Sequence, residues 1–208
     1  CKGMPITSAK GGWLECVGRG VWFKSKVQLG RFSRADSEQA IVWIQGGGSH
    51  AEGNDHMELW ERVSNEWVGL MYQLGDIEMP LQSFAAVPMS DGRDRLVVCT
   101  RDCWQGCCLG VCELGTVAGN NHEIAKKELF RFGSNSPANM IDVGVISVGD
   151  MDGDGLRDVT LSLTGEDRTA IDPKPKAIQR RHNVRLRSDG QTLTLESKIP
   201  PTFTIDGC

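Results

Sequence analysis

The amino-acid sequence predicts an all-β protein assembled from antiparallel hairpins in a propeller-like or sandwich-like arrangement. The first observation is that short runs of Val, Ile, Leu and Trp recur along the chain, often alternating with polar residues as in half-buried strands. The second is that Gly, Asn, Asp and Ser separate these runs at short intervals, which is typical of turns. The third is that only one segment carries a helix signal. Hairpins of this kind bury their apolar faces by stacking as sheets or as propeller blades.

Residues 1–12 are small and polar, so we predict an N-terminal arm there, followed by a single all-β domain over 13–208. The first strands are predicted at 13–17 and 21–23, on either side of a glycine turn. The continuous apolar run at 40–44 is typical of a strand that is buried on both faces, and the glycines that follow it end the strand.

Two segments have the pattern of a complete β-hairpin. In each, alternating apolar residues lie on both sides of a short polar turn. The hairpins are predicted at 57–71, with a turn at 64–65, and at 184–195, with a turn at 188–191.

The segment 123–129 has two competing interpretations. Asn121 is a favourable helix cap and Gly133 is a stop signal, which together predict a short helix. The alternation at 129–132 predicts a strand instead. Elsewhere strand patterns dominate, including a second continuous buried run at 95–99.

The composition is that of a globular protein. The chain has 208 residues, of which 39% are hydrophobic, enough for one substantial core. Its net charge of -4 does not favour nucleic acid or an anionic membrane as a partner. No apolar run approaches the length of about 18 residues that a transmembrane helix needs.

Eight cysteines indicate an oxidising compartment, because this number is high for a reducing cytosol and their spacing fits no common zinc or haem motif. We expect the chain to be secreted or held at the cell envelope. The cysteines predicted to be mostly oxidised are Cys16, Cys99, Cys103, Cys107, Cys108, Cys112 and Cys208. Cys1 has two interpretations: it resembles the lipid-anchored cysteine of a processed bacterial lipoprotein, or it is one more disulfide partner.

The loop Gly149–Asp158 is the one place where residue spacing alone indicates a specific chemistry. Four aspartates place oxygen donors at its alternate positions, and two glycines let the backbone turn tightly enough to bring the donors together. A hard divalent cation offsets the repulsion among the carboxylates. The sequence therefore predicts a Ca²⁺ site. The predicted ligands are the side chains of Asp150, Asp152, Asp154 and Asp158 and the backbone carbonyl of Leu156.

The surroundings of this loop differ from those of a helix-loop-helix calcium site. Such a site needs a bidentate Glu at the twelfth position, where this chain has Leu161. The flanking segments 143–148 and 159–163 have the patterns of strands. The loop is therefore predicted to join strand to strand.

The pattern Asp-x-Asp-Gly-Asp-Gly-x-x-Asp, followed by an alternating strand, resembles the FG-GAP and VCBS type of repeat over residues 140–165. In that family, calcium loops join the strands of β-propeller blades. The resemblance implies a propeller-like fold and the same five calcium ligands.

Three segments share the order of an acidic turn followed by an apolar strand. They begin near Asp36, Asp91 and Asp154, at intervals close to the length of a propeller blade. We predict that the first two are degenerate copies that keep the turn and have lost the metal. Unrelated turns before unrelated strands are the alternative.

A second group of metal-capable side chains lies in a glycine-rich loop and comprises His50, Glu52, Asp55 and His56. Solvated hairpin connections often have this composition. The functional interpretation is a binding loop or a weaker metal site.

The sequence contains no nucleophile elbow, phosphate loop or persuasive catalytic triad, so we predict no catalytic residues. The predicted function is that of a secreted or cell-surface, calcium-stabilised β-domain for adhesion or protein binding. Its expected partner is a protein or a glycan at the cell surface. The alternatives are an extracellular metal-dependent hydrolase that uses the loop His50–His56, and a subunit of a surface assembly or filament.

Overall fold

The structure is a computed structural model of the chain. It describes residues 6–8, 14–18, 21–46, 56–71, 80–104, 107–118, 123–134, 141–167 and 178–204. Within these ranges the chain forms fourteen strands and a short 3-10 helix, with no α-helix. The prediction of an all-β protein is confirmed. The strands are β1 (Ile6–Ser8), β2 (Leu14–Gly18), β3 (Val21–Gly30), β4 (Gln39–Gly46), β5 (His56–Val63), β6 (Glu66–Met71), β7 (Leu81–Pro88), β8 (Asp94–Trp104), β9 (Cys107–Val117), β10 (Ile124–Ser134), β11 (Ile141–Gly149), β12 (Asp158–Asp167), β13 (Ile178–Ser188) and β14 (Leu193–Leu195), and the 3-10 helix is Pro201–Phe203.

The described strands form three antiparallel sheets in which each strand pairs with its neighbour in the chain. Their orders are β1-β2-β3-β4-β5-β6, β10-β9-β8-β7 and β11-β12-β13-β14. Both predicted hairpins are present, as β5–β6 and β13–β14. Their turns contain backbone with positive φ, at Ser64 (61°) and Gly190 (85°), as tight hairpin turns require.

The chain separates into two compact units, which are residues 1–80, 92–94 and 116–125, and residues 81–91, 95–115 and 126–208. The single domain expected over 13–208 stays a prediction. In the segment expected to be an arm, Ile6–Ser8 forms β1, which pairs with β2.

The first unit buries one face of β4 and β5, two adjacent strands of its six-stranded sheet. Ile41 and Trp43 on β4 lie opposite Leu59 and Met57 on β5, and all four side chains are fully buried. Successive residues of a strand point to opposite faces, so this alternation defines the core side. The run 40–44 was expected to be buried on both faces, whereas on the second face Val42 and Ile44 are only half-buried.

The second unit has its own hydrophobic core, formed by strands of the second and third sheets. In β8, the run 95–99 is buried throughout, as predicted. Ser83 on β7 accepts a hydrogen bond of 3.1 Å at its Oγ from the backbone N–H of Val145 on β11. The core side chains are Val87, Met89, Val97, Cys99, Cys112, Leu114, Phe130, Phe132, Ile141, Val143, Val159, Leu161, Leu163, Val184, Leu186, Leu193 and Phe203.

The short helix considered for 123–129 is wrong, because this segment belongs to strand β10. Phe130 and Phe132 are buried on one face of β10, while Arg131 between them is exposed. Only a strand places residues two apart on the same face. Burial of two aromatic rings therefore outweighs the favourable helix cap.

Two disulfides connect β8 to β9 at directly opposite positions, Cys99–Cys112 and Cys103–Cys108. Cys107 is also disulfide-bonded. None of the cysteines whose side chains the structure describes is free. Oxidation is therefore confirmed for these cysteines, while Cys1, Cys208 and the side chain of Cys16 lie outside the described part of the chain.

Candidate metal-binding loop

The candidate loop, residues 150–157, connects two paired strands of the third sheet. The pairing of β11 with β12 runs up to the loop, where Gly149 lies opposite Asp158. The loop therefore joins strand to strand, as its flanking sequence predicts. The closing pair fixes the two ends of the loop next to each other, so that its carboxylates project from a short, constrained segment.

Three of the predicted ligands come together in this loop. Asp150, Asp152 and Asp154 are exposed, and each offers a carboxylate oxygen within 4.8 Å of the other two. In the described part of the chain this is the one group of three or more His, Cys, Asp or Glu side chains with metal-ligand spacing. An oxygen-only set of this kind suits a hard cation such as Ca²⁺ or Mg²⁺ rather than Zn²⁺.

Backbone N–H groups of the loop hold these carboxylates in place. Asp150 accepts hydrogen bonds from the N–H of Gly153 (2.7 Å) and of Gly155 (3.0 Å), each on a different carboxylate oxygen. Asp154 accepts one from the N–H of Leu156 at 2.8 Å. Gly153 and Gly155 both have φ of 84°, a left-handed conformation that side chains disfavour. The two glycines therefore let the loop turn its N–H groups inward.

A cation from the neighbouring strand partly balances the loop's charge. Arg187 on β13 lies with Nη2 at 2.9 Å from an oxygen of Asp152 and at 3.8 Å from one of Asp154. The side chain of Arg187 is half-exposed, and an ion pair in such a position contributes only about 0–1 kcal/mol. The repulsion expected among the carboxylates is therefore moderated by N–H donors and by Arg187.

Asp158, the fourth predicted side-chain ligand, has a different environment. It is fully buried and does not belong to the group of three exposed carboxylates. Its Oδ1 accepts a hydrogen bond from the N–H of Ser188 at 3.0 Å, and its Oδ2 lies 3.3 Å from Nη2 of Arg185. Asp158 thus anchors the end of the loop to β13.

Burial by itself raises the pKa of Asp158, but its partners outweigh that effect. The N–H of Ser188, the guanidinium of Arg185 and the N–H of Met151 all stabilise the charged carboxylate, so the pKa lies below its ordinary value. The carboxylate is therefore ionised at neutral pH. Its charge is compensated by protein groups.

The contribution of β13 to the loop is not apparent from the sequence alone. Arg185, Arg187 and Ser188 reach the loop because β13 pairs with β12, with Val159 opposite Leu186. The one sequence pattern that points to these arginines is the alternation Val184-Arg185-Leu186-Arg187, which places both of them on the polar face of a strand. The pairing itself is not visible in sequence, because 168–177 separates the two strands.

In the two turns predicted to be degenerate copies, the acidic residues are paired with arginines or with backbone groups. Glu38 lies 3.1 Å from Arg62, and Asp91 lies 2.8 Å from Arg95. Asp94 accepts a hydrogen bond from the N–H of Arg31 at 2.7 Å. Each of the three turns does precede a strand, β4, β8 or β12. Their origin as repeats stays a prediction.

Only part of the second metal-capable group falls in the described ranges. His56 begins β5, with Nε2 at 3.4 Å from a carboxylate oxygen of Glu58. The loop residues His50, Glu52 and Asp55 lie outside the described ranges.

The compartment is indicated by the disulfides. Two cross-strand disulfides in one hairpin are typical of proteins that mature in an oxidising environment. In the described ranges, no helix has the length and apolar character needed to cross a bilayer.

No protein-family model, curated protein or solved structure matches this chain.

Proposed function

We propose that this chain is a secreted or cell-surface, non-catalytic β-domain that binds calcium through the loop after β11 and acts in adhesion or protein binding. The observation that carries the proposal is the group of Asp150, Asp152 and Asp154, whose oxygens lie within 4.8 Å of one another on a strand-to-strand loop. The carbonyl of Leu156 is the proposed backbone ligand. Asp158 has the proposed role of anchoring the loop, since its oxygens face Ser188 and Arg185.

The choice of calcium follows from the donors and from the openness of the loop. Ca²⁺ accepts about 6–8 oxygen ligands at about 2.3–2.6 Å in flexible geometry, whereas Mg²⁺ demands a near-ideal octahedron. Exposed carboxylates leave room for water to complete such a shell. The weak surface contact with Arg187 is no obstacle, because a divalent ion interacts more strongly with the same oxygens.

An extracellular role fits this chemistry. The disulfides favour an oxidising compartment, and calcium sites of extracellular modules bind with dissociation constants of about 10⁻⁴–10⁻³ M. Membership of the FG-GAP and VCBS type of repeat is part of the proposal, supported by the loop pattern and by its position between two strands. In such a domain the ion stabilises a connection in the sheet.

Thermal unfolding with calcium and with a chelator tests the proposal. At about 10 to 100 times the dissociation constant, the ion adds about 1.4–2.7 kcal/mol to the free energy of unfolding. This corresponds to a rise of about 3–10 °C in Tm. Asp152→Ala should lose most of the gain.

The matched control is Asp36→Ala, which removes an exposed aspartate from the first related turn and should keep the calcium effect. Equal midpoints of the wild type with calcium and with chelator would mean that the loop is only an acidic turn.

A pull-down from the native surroundings tests the adhesive role. A chain that retains no partner in the presence of calcium would contradict this role.

A further inference from the structure

The two disulfides between β8 and β9 each join directly opposite residues, but their surroundings differ. Cys99 lies directly opposite Cys112, and Cys103 lies directly opposite Cys108. The pair Arg101 and Gly110 separates them on the same face of the hairpin. The second disulfide is the one near the end of the hairpin, beside Trp104 and Cys107.

The first disulfide is sealed inside the protein. Cys99 and Cys112 have no exposed surface and belong to the hydrophobic core of the second unit. The ring of Phe132 lies against Gly110, so closely that a methyl group on Gly110 would overlap it. Phe132, itself 1% exposed, thus covers the position of β9 that lies between Cys108 and Cys112.

The second disulfide joins one exposed residue to one buried residue. Cys103 is exposed, whereas Cys108 is fully buried. Thiol–disulfide exchange requires a thiolate to reach one of the two sulfurs, so its rate depends on access. The burial of these residues therefore favours attack by a reductant at Cys103 over attack at Cys99 or Cys112.

We infer that the two disulfides have different roles: Cys99–Cys112 is a permanent crosslink, and Cys103–Cys108 is a reducible latch at the end of the β8–β9 hairpin. A dithiol opens the latch in two steps. Its thiolate attacks Sγ of Cys103, which forms a mixed disulfide and releases the thiolate of Cys108. The second thiol of the reductant then displaces Cys103. The reductant leaves as a cyclic disulfide, and the protein gains two electrons and two protons.

The structural consequence of opening concerns Arg101, which lies between the two disulfides. Its guanidinium donates a hydrogen bond of 2.8 Å to the carbonyl of Ile141 and pairs with the carboxylate of Asp142. These two residues begin β11, the strand that leads to the candidate metal-binding loop. Opening the latch frees the end of β8 and so loosens its attachment to β11. The latch does not depend on metal binding.

Stepwise reduction of the purified full-length chain tests this inference. The chain is incubated with increasing dithiothreitol, free thiols are trapped with iodoacetamide, and labelled positions are located by mass spectrometry. Cys103 and Cys108 should be labelled at a concentration at least about tenfold lower than Cys99 and Cys112, because access limits exchange. Overlapping reduction curves, or earlier labelling of Cys99 and Cys112, would overturn the inference.

The double variant C103S/C108S tests whether Cys99–Cys112 resists reduction because it is buried beside Phe132 or because the Cys103–Cys108 disulfide protects it. In this variant Cys99–Cys112 should resist the reductant as it does in the wild type. If it becomes as sensitive as the outer pair, the assignment of a sealed crosslink is wrong.

Amide hydrogen exchange tests the consequence for β11. Selective reduction of the latch should increase exchange at 141–145, and Arg101→Gln should produce the same increase without reductant. Unchanged exchange at 141–145 after selective reduction would contradict a role as a latch.

Discussion

Gly110 lies in the core of the second unit at a position that has no room for a side chain. Gly110 on β9 faces the ring of Phe132, and a Cβ at this position would overlap the ring. We predict that Gly110→Ala lowers the free energy of unfolding by about 1–3 kcal/mol, because overfilling a close-packed core forces its side chains to shift. Urea denaturation under non-reducing conditions measures the change.

The matched control is Gly144→Ala on β11, where an added methyl group meets no atom within 4 Å. This variant should change stability by no more than about 0.5 kcal/mol. A similar loss in both variants would show that the cost arises from the strand backbone and is independent of Phe132.

The buried carboxylate of Asp158 predicts a dependence of stability on pH. Its pKa in the folded chain lies below its unfolded value of about 3.9. The unfolded state therefore binds the proton first as pH falls. Stability from this group is fully present above about pH 4 and is lost as pH falls through the folded pKa.

Asp158→Asn should remove that part of the acid dependence and lower stability at neutral pH by about 1–3 kcal/mol, because the donors of Ser188 and Arg185 lose a charged acceptor. Urea titrations at several pH values measure both effects. Asp36→Asn, the same substitution at an exposed aspartate, is the control. An unchanged slope in Asp158→Asn would contradict the assignment.

For individual residues, the sequence predicts which side chains form the loop but does not predict which residues of other strands contact them. The spacing of the aspartates is local information. It predicts that Asp150, Asp152 and Asp154 lie close together, as they do in the structure. The burial of Asp158 and the approach of Arg187 depend on which strand lies beside β12. The connection 168–177 separates that strand from β12, so spacing along the chain carries no information about this contact.

Among the elements, the hairpin β5–β6 depends on a turn that its sequence only partly favours. Ser64 has φ of 61°, a left-handed conformation that costs most residues about 1–2 kcal/mol. Asn tolerates this conformation better than Ser, whereas a β-branched residue tolerates it least. We predict that Ser64→Asn raises the free energy of unfolding by about 0.5 kcal/mol and that Ser64→Val lowers it by about 1–2 kcal/mol.

Thermal unfolding of the two variants measures the difference. The exposed neighbour Asn65 is left unchanged in both, so that only the fit to the left-handed conformation differs. Equal midpoints for Asn and Val at position 64 would mean that the turn does not adopt this conformation in solution.

Strands were predictable wherever alternation was local and strong, as in both hairpins. Strand β10 shows where that rule fails. The charged run Lys126-Lys127-Glu128 and the cap at Asn121 favour a helix locally, yet Phe130 and Phe132 must face the same core. The local alternation at 129–132 competes with these helix signals, and the burial of both rings in the core decides between them.

For the whole molecule, the all-β class was predictable and the division into sheets was not. A strand's pattern indicates that one of its faces is buried, but it does not identify the surface that covers that face. The grouping of the described strands into sheets of six, four and four is therefore a property of the folded chain that its sequence pattern does not reveal. The same holds for the two compact units, whose boundaries near 92–94 and 116–125 carry no marked change in composition.

The sequential order of the described sheets has a consequence for how the chain acquires its structure. Each strand pairs with the one made just before or just after it, so closing each pair requires only a short segment of chain. Such a topology gives a low contact order for a β protein and favours rapid folding during synthesis from the N-terminus. Cysteines separated by 13 and 5 residues then meet their native partners as soon as β9 has emerged. Formation of these two disulfides should therefore need little reshuffling by a disulfide isomerase.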